Sequence, residues 1–227
     1  MVEPTDQELP EQVGRADVGA VRDAPFDGAF VPASLIELGA AVQTCRRCDL
    51  WRRATQGVAG EGPAPAALML VGEAPGDQED LAGRPFVGPA GRLLDRGLAE
   101  VGLERGDCYV SNAVKHFKFT ARGKRRLHAR PDAGEIDACR WWLDHEIRLV
   151  RPRAVVALGA SAGRAVFGRS VTVPSARGRA VPLKSGAAGL LTVHPSYLLR
   201  LREPADKARA FARLVEDLRA AKALAQM

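Results

Sequence analysis

Several groups of residues in this chain have the types and spacing to do chemistry. Cys45-Arg46-Arg47-Cys48 sets two thiols two residues apart. That spacing lets both face one metal ion or one iron–sulfur cluster. Gly72-Glu73-Ala74-Pro75-Gly76-Asp77-Gln78-Glu79-Asp80 combines a tight turn with carboxylates. Glycine and proline there let backbone N–H groups approach a ligand, and the acids can orient water or stabilise positive charge. No Gly-Lys-Ser/Thr follows, so the loop is not of the nucleotide-triphosphate kind. Phe86 lies among the glycines and prolines of Gly83–Gly91, with no helix or strand face to fill. A ring so placed is free to stack on a planar ligand. Asn112 brings an amide that donates and accepts at once, and His194-Pro195-Ser196 brings an imidazole.

A second signal runs from Lys115 to Arg130. It holds seven basic residues and no acid, with Phe117 and Phe119 interleaved. Cations neutralise phosphates, and aromatic rings pack on bases or anchor a loop. A solvated charged loop has the same composition, and His128 at its end is unremarkable by itself.

The elements that must position these residues alternate. A short amphipathic helix starts near Ser34 and leads into Cys45. Apolar runs at Ala66–Val71, Cys108–Val114, Ala154–Leu158 and Leu190–Val193 read as strands. Helical patterns occupy Ala90–Val101, Asp132–Val150, Ser161–Phe167 and Ala205–Leu224. Lys115–Pro131 shows no period and reads as a long connection. Such alternation implies an α/β fold with a mostly parallel sheet covered on both faces. Ligands then bind beyond the carboxyl ends of the strands. Three of those ends carry Glu73, Asn112 and His194, so one cleft is expected.

At 227 residues the chain suits one α/β domain, expected over 31–227. Residues 1–30 hold seven acids against Arg15 and Arg22, with no apolar period, and read as a flexible acidic arm. With the whole chain at +6, their net charge of −5 leaves +11 on residues 31–227, which suits a polyanionic partner. No apolar run reaches the ~20 residues of a membrane span. The acidic start lacks the apolar stretch of a signal peptide, so a cytoplasmic protein without membrane contact is expected, and a monomer because nothing outside the cleft suggests a large apolar patch. Four cysteines then point to metal ligation or core packing before disulfides.

Taken in order, Gly72-Glu73-Ala74-Pro75-Gly76, Gly88-Pro89-Ala90-Gly91, Ser111-Asn112-Ala113-Val114-Lys115 and His194-Pro195-Ser196 resemble the motifs of iron–sulfur uracil-DNA glycosylases, family 4 and its relatives. The match runs from about Cys45 to the closing helix. It implies a three-layer α/β/α sandwich with a short, mostly parallel central sheet. Lys115-His116-Phe117-Lys118-Phe119 and Lys124-Arg125-Arg126-Leu127-His128 are similar to the marks of the UdgX-type branch. Ordinary family 4 enzymes have cysteine where His116 stands and lack the loop that carries His128. UdgX-type proteins excise uracil and then become attached to the abasic sugar through that histidine. Two departures stand out: Ala74 where the branch usually has Gln, and Leu127 in place of Ile.

The resemblance also assigns roles. Phe86 stacks on a flipped uracil, Asn112 reads its edge, and Gly72 and Ala74 border it. His194 sits near O2, while Glu73, with Asp77 and Asp80, faces the sugar. Lys115, Lys124, Arg125, Arg126 and Ser196 contact DNA, single-stranded or double-stranded. Neighbouring cations keep His128 neutral and nucleophilic. By family position a [4Fe–4S] cluster is held by Cys45, Cys48, His116 and Cys139, leaving Cys108 to the core. Cys108 as fourth ligand, or zinc, remains open on spacing alone. Three functions follow: a self-trapping glycosylase, a conventional multiple-turnover one, or a non-enzymatic module that binds DNA or abasic sites.

Overall fold

The computed structural model describes residues 30–227. The expected acidic arm, apart from Phe30, lies outside the described residues. Five strands form the main sheet: β1 (Leu68–Gly72), β2 (Cys108–Asn112), β5 (Ala154–Leu158), β6 (Val181–Pro182) and β7 (Ala188–Thr192). Their order is β2-β1-β5-β7-β6, parallel except for the short edge strand β6. Every residue of β1, β2 and β5 is buried. Such strands are continuously apolar because helices cover both faces.

Alternation along the strands separates two cores. Met69, Val71, Val155, Ala157 and Leu191 face α1 (Leu35–Gln43), α4 (Ala133–Val150) and α5 (Ala160–Phe167). Leu68, Leu70, Val156, Leu158 and Leu190 face α3 (Pro89–Ala99) and α8 (Pro204–Gln226). The result is the three-layer α/β/α sandwich with a short, mostly parallel sheet. Three short helices complete it: α2 (Asp77–Ala82), α6 (Val173–Ala176) and α7 (Pro195–Arg200).

The basic connection is more ordered than its sequence suggests. It folds as an antiparallel hairpin, β3 (Phe119–Arg122) and β4 (Arg125–His128), turning at Gly123 with φ 58°. That left-handed backbone suits glycine. Pairing sets Phe119 opposite His128. Among the described residues no helix is long and apolar enough to cross a membrane.

Candidate active site

The carboxyl ends of β1, β2, β5 and β7 open into one cavity of about 1280 Å³. Glu73, Ala74, Asp77, Phe86, Asn112, His128, His194 and Ser196 all line it. Four separate stretches of sequence are thereby brought to one place.

Its floor is built by exclusion. A Cβ on Gly72 would lie 2.4 Å from Asn112 Oδ1 and 2.5 Å from Phe86 Cζ. Only glycine at the end of β1 lets the amide and the ring close over the strand. Phe86 is 5% exposed and has φ 55°. That conformation costs a bulky residue of order 1–3 kcal/mol and must be held by its surroundings. Arg105 holds it by donating to the Phe86 carbonyl at 3.2 Å and to that of Pro85. Glu79 joins the two loops by accepting from the N–H groups of Gly76 (3.1 Å) and Gly88 (2.8 Å).

His194 caps α7, its Nδ1 accepting the Ser196 N–H at 3.0 Å. Its ring stacks near Phe86, centroids 5.9 Å apart. A backbone N–H only donates, so Nδ1 carries the lone pair and neutral His194 bears its proton on Nε2. Burial, with help from His128 and Arg200, pushes its pKa down to about 4. A neutral donor is therefore present at neutral pH.

His128 stands at the mouth, its Nε2 3.8 Å from Glu73 Oε1. Its pKa is lowered, first by partial removal from water, with Glu73 opposing and Arg200 assisting. The expectation that Lys124, Arg125 and Arg126 keep it neutral is corrected. Arg126 donates to Asp80 and is paired with Asp77, both at 2.6 Å. It pins the hairpin to α2 instead of meeting phosphate. Asp80 is fully buried, bonds the Thr55 N–H as well, and does not face a sugar. Asp77 lines the cavity while holding Arg126.

Lys115 requires a larger correction. It is fully buried, with Nζ 2.7 Å from Glu146 Oε2, 2.7 Å from Ser111 Oγ and 2.8 Å from the Asn112 carbonyl. A DNA contact is incompatible with that burial; the residue braces β2 from below. Lys124 and Arg125 remain exposed on the hairpin.

Sequence reasoning passed over other residues in and behind the cleft. Ser161 and Arg130 flank Glu73. Arg177, Arg200 and Arg213 line the far wall, with exposed Tyr197 and Leu199 at the lip. Ser161 had a readable signal, since it follows Gly159 directly after an apolar strand.

The uracil DNA glycosylase superfamily model matches residues 59–219. The chain belongs to that superfamily. A type-4 uracil-DNA glycosylase of Thermotoga maritima is 38% identical over 180 residues, 75% of this chain and 90% of that protein. A type-4 uracil-DNA glycosylase of Sulfurisphaera tokodaii is 39% identical over 137 residues, 60% of this chain and 59% of its own length. A type-5 uracil-DNA glycosylase of Pyrobaculum aerophilum is 34% identical over 148 residues, 59% of this chain and 62% of its own.

In this superfamily member the thiols divide between the two cores. Cys45 and Cys139 are buried in the core on the α4 side, with Cys48 packed against it, whereas Cys108 lies across the sheet. The sheet thus separates Cys108 from the other three. Cys45 Sγ accepts the Trp142 indole N–H at 3.1 Å, and Cys139 Sγ accepts the Lys115 N–H at 3.2 Å. Hydrogen bonds to sulfur are one way a protein tunes an iron–sulfur centre. His116 is buried, and burial beside Arg46 lowers its pKa to about 4, leaving a lone pair for ligation. Among the described residues no three His, Cys, Asp or Glu side chains converge on the point one ion would occupy. A four-iron cluster is a larger body that draws its ligands from wider apart. The donor set of three thiols and a neutral imidazole fits such a group.

Proposed function

We propose that the chain excises uracil from DNA and is then captured on the abasic sugar through His128, as in the UdgX-type branch. The observation that carries this reading is His128 Nε2 lying 3.8 Å from Glu73 at the mouth of the cavity that holds Phe86, Asn112 and His194. Uracil must leave the stack to be reached. Phe86 packs on the flipped base, Gly72 and Ala74 border it, and the Asn112 amide pairs with its donor–acceptor edge. The C1′–N1 bond breaks with its electron pair on uracil, and His194 Nε2–H stabilises the charge at O2. Glu73 stabilises the cationic sugar. The His128 lone pair then forms the N–C1′ bond, and the remaining ring proton leaves to solvent. Imidazole wins over water through effective concentration.

A [4Fe–4S] cluster held by Cys45, Cys48, His116 and Cys139 belongs to this reading. Bound there, it would tie the end of α1 to α4 and to the base of the hairpin. Cys48→Ser is expected to reduce iron content and visible absorbance relative to wild type, while Cys108→Ser leaves both unchanged. Equal losses in the two variants would remove the assignment.

Residues 31–227 act as one glycosylase domain in this account. Lys124 and Arg125 meet phosphates, and the protein works as a cytoplasmic monomer. Ser196 supports His194. Its N–H bonds Nδ1, and its hydroxyl lies 2.8 Å from the same atom. A conventional multiple-turnover glycosylase is the second reading, favoured by Ala74 and by the type-4 relatives.

Incubation with a labelled uracil-containing oligonucleotide, followed by denaturing electrophoresis, separates them. A uracil-dependent band of low mobility that survives boiling supports capture. Alkali-cleavable DNA without that band leaves the conventional enzyme, and neither product leaves a binding module. Gly72→Ala bears on the pocket directly. Its methyl would drive Phe86 and Asn112 apart, so uracil release is expected to fall at least about 10²-fold, as for a misplacement of about 1 Å. Release within threefold of wild type would mean that base binding does not use this floor.

A further inference from the structure

We infer that Ser161 and Arg130 are positioning residues that clamp the Glu73 carboxylate. The inference rests on the glycosylase reading and deepens it. Ser161 Oγ lies 2.5 Å from Glu73 Oε2, and Arg130 Nε lies 3.0 Å from Ser161 Oγ. Arg130 Nε is also 3.7 Å from Glu73 Oε2.

The proton inventory fixes the direction of this chain. A guanidinium only donates, so Arg130 N–H donates to the serine oxygen. The single Ser161 hydroxyl proton is then free to point at Glu73, whose carboxylate accepts. Arg130, Ser161 and Glu73 form a one-way relay of hydrogen bonds. It occupies Oε2 and leaves Oε1 as the oxygen that faces His128. Without it the carboxylate regains rotamer freedom that must be lost again in the reacting geometry.

The fold gives the clamp a rigid base. Ser161 is 1% exposed in the first turn of α5, directly after β5. The intervening Gly159 has φ 91°, and a Cβ there would meet the His194 Cβ at 3.2 Å. The same turn therefore packs against His194 and delivers Ser161 to Glu73. Arg130, 68% exposed, reaches in from the segment after β4. The loop that carries His128 thus contributes to holding the carboxylate that faces it.

Single-turnover rates on uracil-containing DNA test this. Ser161→Ala should slow uracil loss and capture about 10- to 100-fold, the range for losing a hydrogen bond to a charged group. Affinity for uracil-free DNA should be unchanged. Ser161→Thr, which keeps the hydroxyl, should recover most of the rate. If Ser161 acts through Glu73, Ser161→Ala adds little to Glu73→Ala, so the double variant matches Glu73→Ala alone. Additive losses, or Ser161→Ala within twofold of wild type, overturn the clamp. Should Ser161→Ala fail to accumulate, Arg130→Met at its exposed position carries the same cycle against Glu73→Ala. A wild-type protein that leaves uracil in place overturns the glycosylase reading and the clamp together. One that excises while the cycle is additive overturns the clamp alone.

Discussion

His128→Ser should abolish the boiling-resistant band and release abasic DNA with multiple turnover. The serine hydroxyl keeps a small polar group at the cavity mouth but removes the nitrogen lone pair. Water then captures C1′, and the product dissociates. Well-oriented intramolecular groups reach effective molarities of about 10⁵–10⁸ M, so crosslink formation is expected to fall at least about 10³-fold. Uracil release should fall far less, because Phe86, Asn112 and His194 are untouched. The pH dependence supplies an independent readout. Partial removal from water holds the His128 pKa below its ordinary value of about 6.5. The neutral, nucleophilic form therefore persists to lower pH than in a free imidazole. The pH at which wild-type capture falls to half should therefore lie below about 6.5. Full crosslinking by His128→Ser, or a capture rate already halved near neutral pH, would remove His128 as the nucleophile.

Much of this architecture was legible because buried strands announce themselves. Ala154–Leu158 is apolar throughout and matches β5 residue for residue. Asp132–Val150 has a 3.6-residue stripe, and Asp132 proves to be its cap, accepting the Glu135 N–H. The hairpin left no such trace. Its strands are four residues each and face water, so neither period nor hydrophobicity marks them. Contacts distant in sequence hold it: Arg126 to Asp77 and Asp80, and Lys118 to Glu135. The cleft was legible at the strand ends, where Gly72, Asn112 and His194 break an apolar pattern. Arg130 stayed hidden inside a count of charges. A count cannot separate a cation that waits for phosphate from one already spent on a carboxylate, and Arg126 and Lys115 fell to the same limit.

Lys115 also carries the largest expected loss of stability. Its ammonium and the Glu146 carboxylate are both fully buried and 2.7 Å apart. Glu146 additionally accepts the Gly60 N–H at 2.9 Å and the Ser111 hydroxyl at 2.7 Å. Replacing both members of such a pair with apolar groups is often neutral, whereas removing one strands a charge at a cost of about 3–5 kcal/mol. Lys115→Met should therefore lower the thermal midpoint by roughly 6–20 °C, at about 2–4 °C per kcal/mol for a domain of this size. Adding Glu146→Gln removes the stranded charge and should recover part of that loss. DNA affinity separates the brace from a phosphate contact. In folded Lys115→Met the slope of log affinity against log salt should match wild type, whereas Arg125→Ala should reduce its magnitude by about 1. The ammonium also reaches the Asn112 carbonyl, and the Lys115 N–H reaches Cys139 Sγ. One residue thus joins the strand end that presents the amide to the thiol on α4, which makes the stability of that core a condition of the cleft's geometry. A midpoint within 2 °C of wild type, or a salt slope that drops with Lys115→Met, would return Lys115 to the DNA-binding surface.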